Sequence, residues 1–237
     1  HVTSGAEGGS IPAPRDKAPM PTEALGKAWE ARKRRAEQIR ATTLDLRPSD
    51  LDPDKGRDED DPRGRTPSDE ARWIGIVAHA AMERINFADP HKDLDKVIRV
   101  ALDENPAERP DAERDKIQEE VRRMLEKFTA SKDFREKIQP FEELGREIPF
   151  LFSDTSDDRR EASVEGRADL VIRDDEGILV VDYKTIKVSK SNAQTKAREF
   201  REQGGLYCRA VSEIFNREKV RFCVAFLRPA VLEMVPF

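Results

Sequence analysis

Two short alternating segments joined by an acidic turn constrain this chain more than any other feature. Along Ser163–Ile172, Val164, Gly166, Ala168, Leu170 and Ile172 fall on one face of an extended strand, and Glu165, Arg167, Asp169 and Val171 on the other. Asp174-Asp175-Glu176-Gly177 suits a four-residue hairpin loop, after which Ile178, Val180, Asp182 and Lys184 share a face. If Arg173 and Ile178 close that loop, Asp169 sits directly opposite Asp182, with Cβ atoms about 5 Å apart. Two carboxylates so placed repel each other. A shared proton, a neighbouring cation or a bound divalent metal would offset the repulsion, and Lys184 lies on the same face as Asp182. Two oxygen ligands and an ammonium suit a hard cation such as Mg²⁺ holding a phosphate. The alternative is a pair of charges on a solvated face, but the Ile, Leu and Val around Asp182 favour burial. A bulge in either strand would move the register.

The rest of the chain divides by composition and period. Charged residues make up 38% and hydrophobic residues 37% of the 237, too lean to pack the whole length into one globule. Residues 1–22, rich in proline and glycine, are expected to be a tail or linker, and 23–40 a polar helix that needs a partner surface. Residues 48–68 read as a second linker; its seven acids between Asp50 and Asp61 lack the regular spacing of a metal loop. Order is expected from Ser68, giving a poorly packed 1–67 and a folded 68–237. Helical spacing covers 68–87, 93–103 and 111–130, and strand patterns follow at 141–152, 162–173, 177–185, 220–227 and 230–235. One long helix, 192–216, separates the third strand from the fourth. The expected class is α/β: a mixed central sheet flanked by helices, with a helical N-terminal part.

Several classes are excluded or disfavoured. Two cysteines, Cys208 and Cys223, cannot hold a four-cysteine zinc site or an iron–sulfur cluster, and they fit a reducing compartment. No apolar run reaches ~20 residues and no signal-peptide core opens the chain, so a soluble cytoplasmic protein with no membrane partner is expected. A first residue of His1 rather than Met suggests part of something longer. The net charge of −5 argues against generic polyanion binding. Locally the balance reverses: 184–221 holds ten basic and four acidic residues. Such a face beside a metal site fits a phosphodiester substrate, with Lys187, Lys190, Arg198 and Arg201 as candidate DNA contacts; a wet helix face rich in Lys and Arg is the alternative.

Glu165-Gly166-Arg167-Ala168-Asp169-Leu170 followed by Val180-Val181-Asp182-Tyr183-Lys184-Thr185 resembles the active-site hairpin of RecB-family nucleases in the PD-(D/E)XK superfamily. Ala168 stands where that family often has proline. Gly75-Ile76-Val77-Ala78-His79 with Glu83 resembles its N-terminal histidine motif, Glu147-Ile148-Pro149-Phe150 the strand before the hairpin, and Gln203 with Tyr207 its Gln-x-x-x-Tyr motif. The resemblance covers about 68–237 and implies a restriction-endonuclease-like core and Mg²⁺-dependent, exonuclease-like hydrolysis of DNA, with Mn²⁺ possible because an imidazole joins the oxygen ligands. It implies that His79, Asp169, Asp182 and the main-chain carbonyl of Tyr183 hold the metal. Asp169, Asp182 and Lys184 would be catalytic, Lys184 positioning the attacking water or stabilising charge on phosphorus. Glu83, Glu147, Gln203 and Tyr207 would support them, although Glu83 could equally be surface and Tyr207 core packing. Gly204 and Gly205 suggest a close approach to that helix by the sheet or by a DNA backbone.

Leu46-Arg47-Pro48-Ser49 resembles the segment before the nuclease domain of AddA and RecB helicase–nucleases, and no phosphate-binding Gly-x-x-x-x-Gly-Lys-Ser/Thr loop occurs. The implied context is the C-terminal nuclease domain of a double-strand-break repair enzyme. Its partners would be helicase domains of the same longer chain and a second subunit of an AddAB- or RecBCD-like complex. A stand-alone RecB-like exonuclease and a non-catalytic DNA-binding scaffold of the same fold are the alternatives.

Overall fold

The computed structural model describes residues 44–46, 48–51, 69–105, 111–154, 162–216 and 219–237. The tail, the polar helix expected over 23–40, the acidic run after Leu51, and Arg47 and Ser68 lie outside them.

A six-stranded mixed sheet organises the described chain. Its strands are β1 (Leu44–Leu46), β2 (Glu142–Asp154), β3 (Ala162–Asp174), β4 (Gly177–Lys184), β5 (Val220–Phe226) and β6 (Val231–Val235). β2 runs antiparallel along the whole of β3. A strand has two edges, so β4 and β1 share the other one: β4 pairs antiparallel with 170–174 and β1 parallel with 162–164. β4 then pairs parallel with β5, and β5 antiparallel with β6.

Helices cover both faces. On one face lie α1 (Asp69–Arg84), α2 (Leu94–Glu104), α3 (Asp111–Thr129) and α4 (Lys132–Lys137). They bury Trp73, Val77, Ile98, Leu125 and Phe128 against Ile172, Leu179, Val181 and Cys223. On the other, α5 (Ala193–Glu199) and α6 (Arg201–Ile214) bury Ala197, Phe200, Tyr207 and Val211 against Val171, Val180, Phe222 and Val224. β4 and β5 are therefore buried on both sides, which explains their nearly continuous apolar sequence.

Four departures from the sequence reading matter. β1 and the 3-10 turn Pro48–Leu51 add ordered structure before residue 68, part of it inside the expected linker. The single helix expected over 192–216 breaks at Phe200. The buried stripe Ala193, Ala197, Phe200, Gly204, Tyr207, Val211 keeps helical spacing straight through the break, so periodicity could not reveal it. The short α4 was not expected; Ser131 caps it by accepting from the Phe134 N–H at 3.1 Å, and Phe134 is fully buried. Finally, Asp174 pairs with Gly177, which shortens the loop to the two residues Asp175 and Glu176 without changing the register. Gly177 sits at φ 125°, a backbone region that other residues rarely enter.

The sheet approaches α6 closely at Gly204. A Cβ on Gly204 would lie 2.3 Å from the Phe222 ring, whereas one on Gly205 would meet nothing nearer than Phe237 at 4.0 Å. Gly204→Ala should therefore cost about 1–3 kcal/mol through overpacking. Gly205→Ala should be neutral or stabilise by up to about 1 kcal/mol through helix propensity. Urea denaturation of both variants checks this, and equal effects would contradict the packing.

Candidate metal centre

The site forms where two ladders stop. β3 and β4 pair from Asp174–Gly177 back to Leu170–Val181, in the register expected from the sequence, and no further. At the next position the Tyr183 N–H donates to Asp169 Oδ2 at 2.7 Å, so a side chain takes the place of a backbone acceptor. On the other edge, the β2–β3 pairing passes from Arg146–Leu170 to Ile148–Ala168 and skips the opposed Glu147 and Asp169. Glu147 has φ 47°, the left-handed region.

This irregularity corrects the expected facing of β3. Val164 and Ala168 pack in the cluster under α5 and α6, while Leu170 and Ile172 pack in the cluster under α1–α4. The two sets expected to share a face thus lie on opposite sides of the sheet. The switch falls at Asp169, and it turns that carboxylate to within 3.4 Å of His79 Nδ1 on α1.

His79, Glu147 and Asp169 each offer a ligand atom, and the three lie within 4.8 Å of one another. Glu147, expected only to support the site, is thus one of the three. Asp182, expected as a ligand beside Asp169, is not in that trio; its Oδ2 lies 2.9 Å from Lys184 Nζ. This buried oxygen is ion-paired with the ammonium and has no further partner among the described residues. Lys184 also lies over the Phe200 ring, 4.9 Å from its centroid. Tyr183 meets the site through its N–H, and its ring stands edge-on to His79.

The charges tune one another. Burial opposes a charge on His79, but the Asp169 carboxylate, its hydrogen bond and the Asp182 charge outweigh this and raise the imidazole to about 9. Burial also works against ionised Asp169, yet His79, the Tyr183 N–H and Lys184 hold its pKa below the usual carboxylate value. Asp182 goes the other way. Burial, reinforced by Asp169 and only partly offset by Lys184, raises it to about 6. Glu147 is raised by burial and by Asp169.

The other expected residues are less central. The Glu83 carboxylate is at the surface, 3.2 Å from Arg84. Gln203 is buried with Oε1 unpartnered among the described residues, and Tyr207 is buried, stacked on Phe222 and edge-on to Phe150. Lys187 and Lys190 line a separate groove past the end of β4; Arg198 and Arg201 are exposed at the α5–α6 break.

One residue escaped the sequence reading. Arg146 Nη1 donates to the carbonyls of Met82, Glu83 and Ile85, at 2.8, 3.0 and 2.6 Å, and so satisfies the end of α1. Its guanidinium lies 3.8 Å from the Phe87 ring centroid and is held by both oxygens of Glu143. The clamp ties α1, which carries His79, to the stretch of β2 that carries Glu147. The β2 bulge between Glu143 and Gly145 removes the alternation that would have flagged Arg146.

A family profile for the PD-(D/E)XK nuclease superfamily matches residues 55–231, about three-quarters of the sequence. The chain belongs to this superfamily. Its members use divalent metals, and the trio has suitable chemistry, with an imidazole among carboxylate oxygens and the buried Asp182 carboxylate, ion-paired with Lys184, close by. A nuclease domain of this kind implies a DNA substrate. An ATP-dependent helicase/nuclease subunit of Anoxybacillus flavithermus (strain DSM 21510 / WK1) is 33% identical over 84 residues. That match covers 35% of this chain and 7% of the relative, so the chain corresponds to a small part of that protein. Among the described residues no helix is long and apolar enough to cross a membrane.

Asp182 and His79 both favour the protonated folded state. Without metal, stability contributed by Asp182 should fall as pH rises from 3.8 to about 6, and that from His79 as pH rises from 6.5 to about 9. The His79 imidazole should titrate near 9 by NMR, and Asp169→Asn should bring it below 6.5, because only the burial penalty then remains dominant. A wild-type midpoint near 6.5 would contradict the His79–Asp169 pairing.

Proposed function

We propose that this chain is a Mg²⁺-dependent deoxyribonuclease domain, exonuclease-like in action, that works within a double-strand-break repair helicase–nuclease. The observation that carries the chemistry is the gap at the end of the β3–β4 ladder, where His79, Glu147 and Asp169 converge beside Lys184 and Asp182. The wider context rests on the partial likeness to a helicase/nuclease protein, from which helicase domains and a second subunit follow as partners.

In this reading His79, Glu147 and Asp169 hold the metal. Asp182 would join them, and the Tyr183 carbonyl would be a further donor. The bound ion would act as a Lewis acid on a phosphoryl oxygen and make a coordinated water acidic. The protein's own groups supply the rest. The Tyr183 N–H fixes the Asp169 carboxylate, and the Arg146 clamp holds the helix that presents His79. Lys184 brings a largely buried ammonium to where charge develops on the phosphate.

Mg²⁺ or Mn²⁺ should raise the melting temperature, and Asp169→Ala should abolish the rise. Lys184→Ala keeps every metal ligand, so metal and DNA binding in Ca²⁺ should persist within several-fold. Cleavage of linear DNA in Mg²⁺ should fall about a hundredfold or more, because that charge acts mainly on the transition state. Wild-type cleavage by Lys184→Ala would remove the lysine from the mechanism. DNA binding without any cleavage by the wild type would leave the fold as a scaffold.

A further inference from the structure

Past Lys184 the chain leaves the sheet and enters a groove that the metal centre does not use. Three separate stretches build it: Lys127 in the last turn of α3, Lys187–Lys190 after β4, and Arg228 in the β5–β6 turn. The groove encloses about 490 Å³ and is open along its length. Its floor is rigidly tied. Arg228 Nε donates to the Thr185 carbonyl, its Nη1 pairs with Glu120, and Lys127 Nζ donates to the Arg228 carbonyl at 2.8 Å. Ser189 and Ser191 share a hydroxyl hydrogen bond of 2.9 Å that shapes the far end. One carboxylate, Glu120, faces the Arg228 guanidinium, and among the described residues no acidic side chain lines the groove itself. Three lysines at one groove, in a chain of net charge −5, mark a local site for an extended anion.

We propose that this groove anchors a phosphodiester strand away from the bond being cut, as a substrate-length subsite; the proposal rests on the nuclease reading above. Lys184 at the reacting centre and Lys190 at the far end are joined by a stretch of chain that can span at most about 20 Å. Allowing for the reach of the two lysine side chains, and at about 3.4 Å per stacked nucleotide, the anchored phosphates lie within about ten nucleotides of the scissile one. As a subsite separate from the reacting centre, the groove would engage a strand of several nucleotides and not a dinucleotide. Lys127, distant in sequence from the other cations, is the new member of the DNA-contacting set, and Arg228 orients the floor.

The test compares wild type with Lys127→Gln/Lys190→Gln on single-stranded dT20 and on a thymidine dinucleotide, with cleavage in Mg²⁺ and binding in Ca²⁺. On dT20 the variant should show KM raised about tenfold with kcat nearly unchanged. Its salt dependence of binding should be shallower by about 1.4 in log–log slope, two single-strand phosphate contacts. Its kcat/KM on the dinucleotide should match wild type. Unchanged KM and slope on dT20, with active wild type, would overturn the groove and leave the nuclease reading standing. An equal loss on the dinucleotide would also overturn it, because the lysines would then act at the reacting centre or on the fold. Absence of both binding and cleavage by wild type would instead sink the nuclease reading, and this inference with it.

Discussion

The rest of the site depends on one interrupted ladder. β3 and β4 stay paired only to Leu170 and Val181, after which the Tyr183 N–H turns to the Asp169 carboxylate. Where the backbone bonds stop, the Asp169 carboxylate lies 3.4 Å from His79 Nδ1. By taking the N–H into its own hydrogen bond, the carboxylate removes the need for a backbone partner and fixes its own orientation. β1 rejoins the same edge only at 162–164, so a gap remains in which side chains rather than backbone groups meet. On the opposite edge the left-handed backbone of Glu147 makes the matching break in β2.

Concentrating charge in this gap is costly unless the charges compensate. A buried ion leaves water at a cost of several kcal/mol, recovered only by close partners. Two pairs do this on opposite sides of the gap: His79 with Asp169, and Lys184 with Asp182. They are not equal. The first pair holds Asp169 ionised and His79 protonated, whereas the Asp182 pKa is raised to about 6 because burial outweighs the help from Lys184. A divalent cation arriving here would displace the His79 proton and relieve Glu147 and Asp182 of their repulsion with Asp169. The metal-free charge pattern is therefore already suited to exchange a proton for a metal.

The two cores serve the site from either side. The α1–α4 layer brings His79 over the sheet, and Arg146 joins the end of α1 to the bulged strand that carries Glu147. The α5–α6 layer supplies Phe200 beneath Lys184 and sits close only because Gly204 lacks a side chain where Phe222 needs the space. The chain beyond Lys184 is tied by Arg228, so the strand that carries Lys184 also leads into the basic groove.

Much of this was legible in the sequence, and the boundary is physical. Alternation and helical spacing are local, so the strands, most helices and the hairpin register could be read from the order of apolar residues around Asp174–Gly177. The chemical character of the centre was legible for the same reason: Asp169, Asp182 and Lys184 sit on adjacent strands, and His79 and Glu147 came with the family resemblance. What the sequence could not determine is which carboxylate turns where. That depends on a bulge at Glu143–Gly145, a left-handed residue at Glu147 and a broken ladder at Asp169, each decided by competition among neighbouring strands. The Arg146 clamp and the meeting of Lys127 with Arg228 join residues 61 and 101 positions apart in the chain, and no pattern within one segment encodes such contacts. Local periodicity determined the elements and the hairpin register; only tertiary packing decided which side chains share the site.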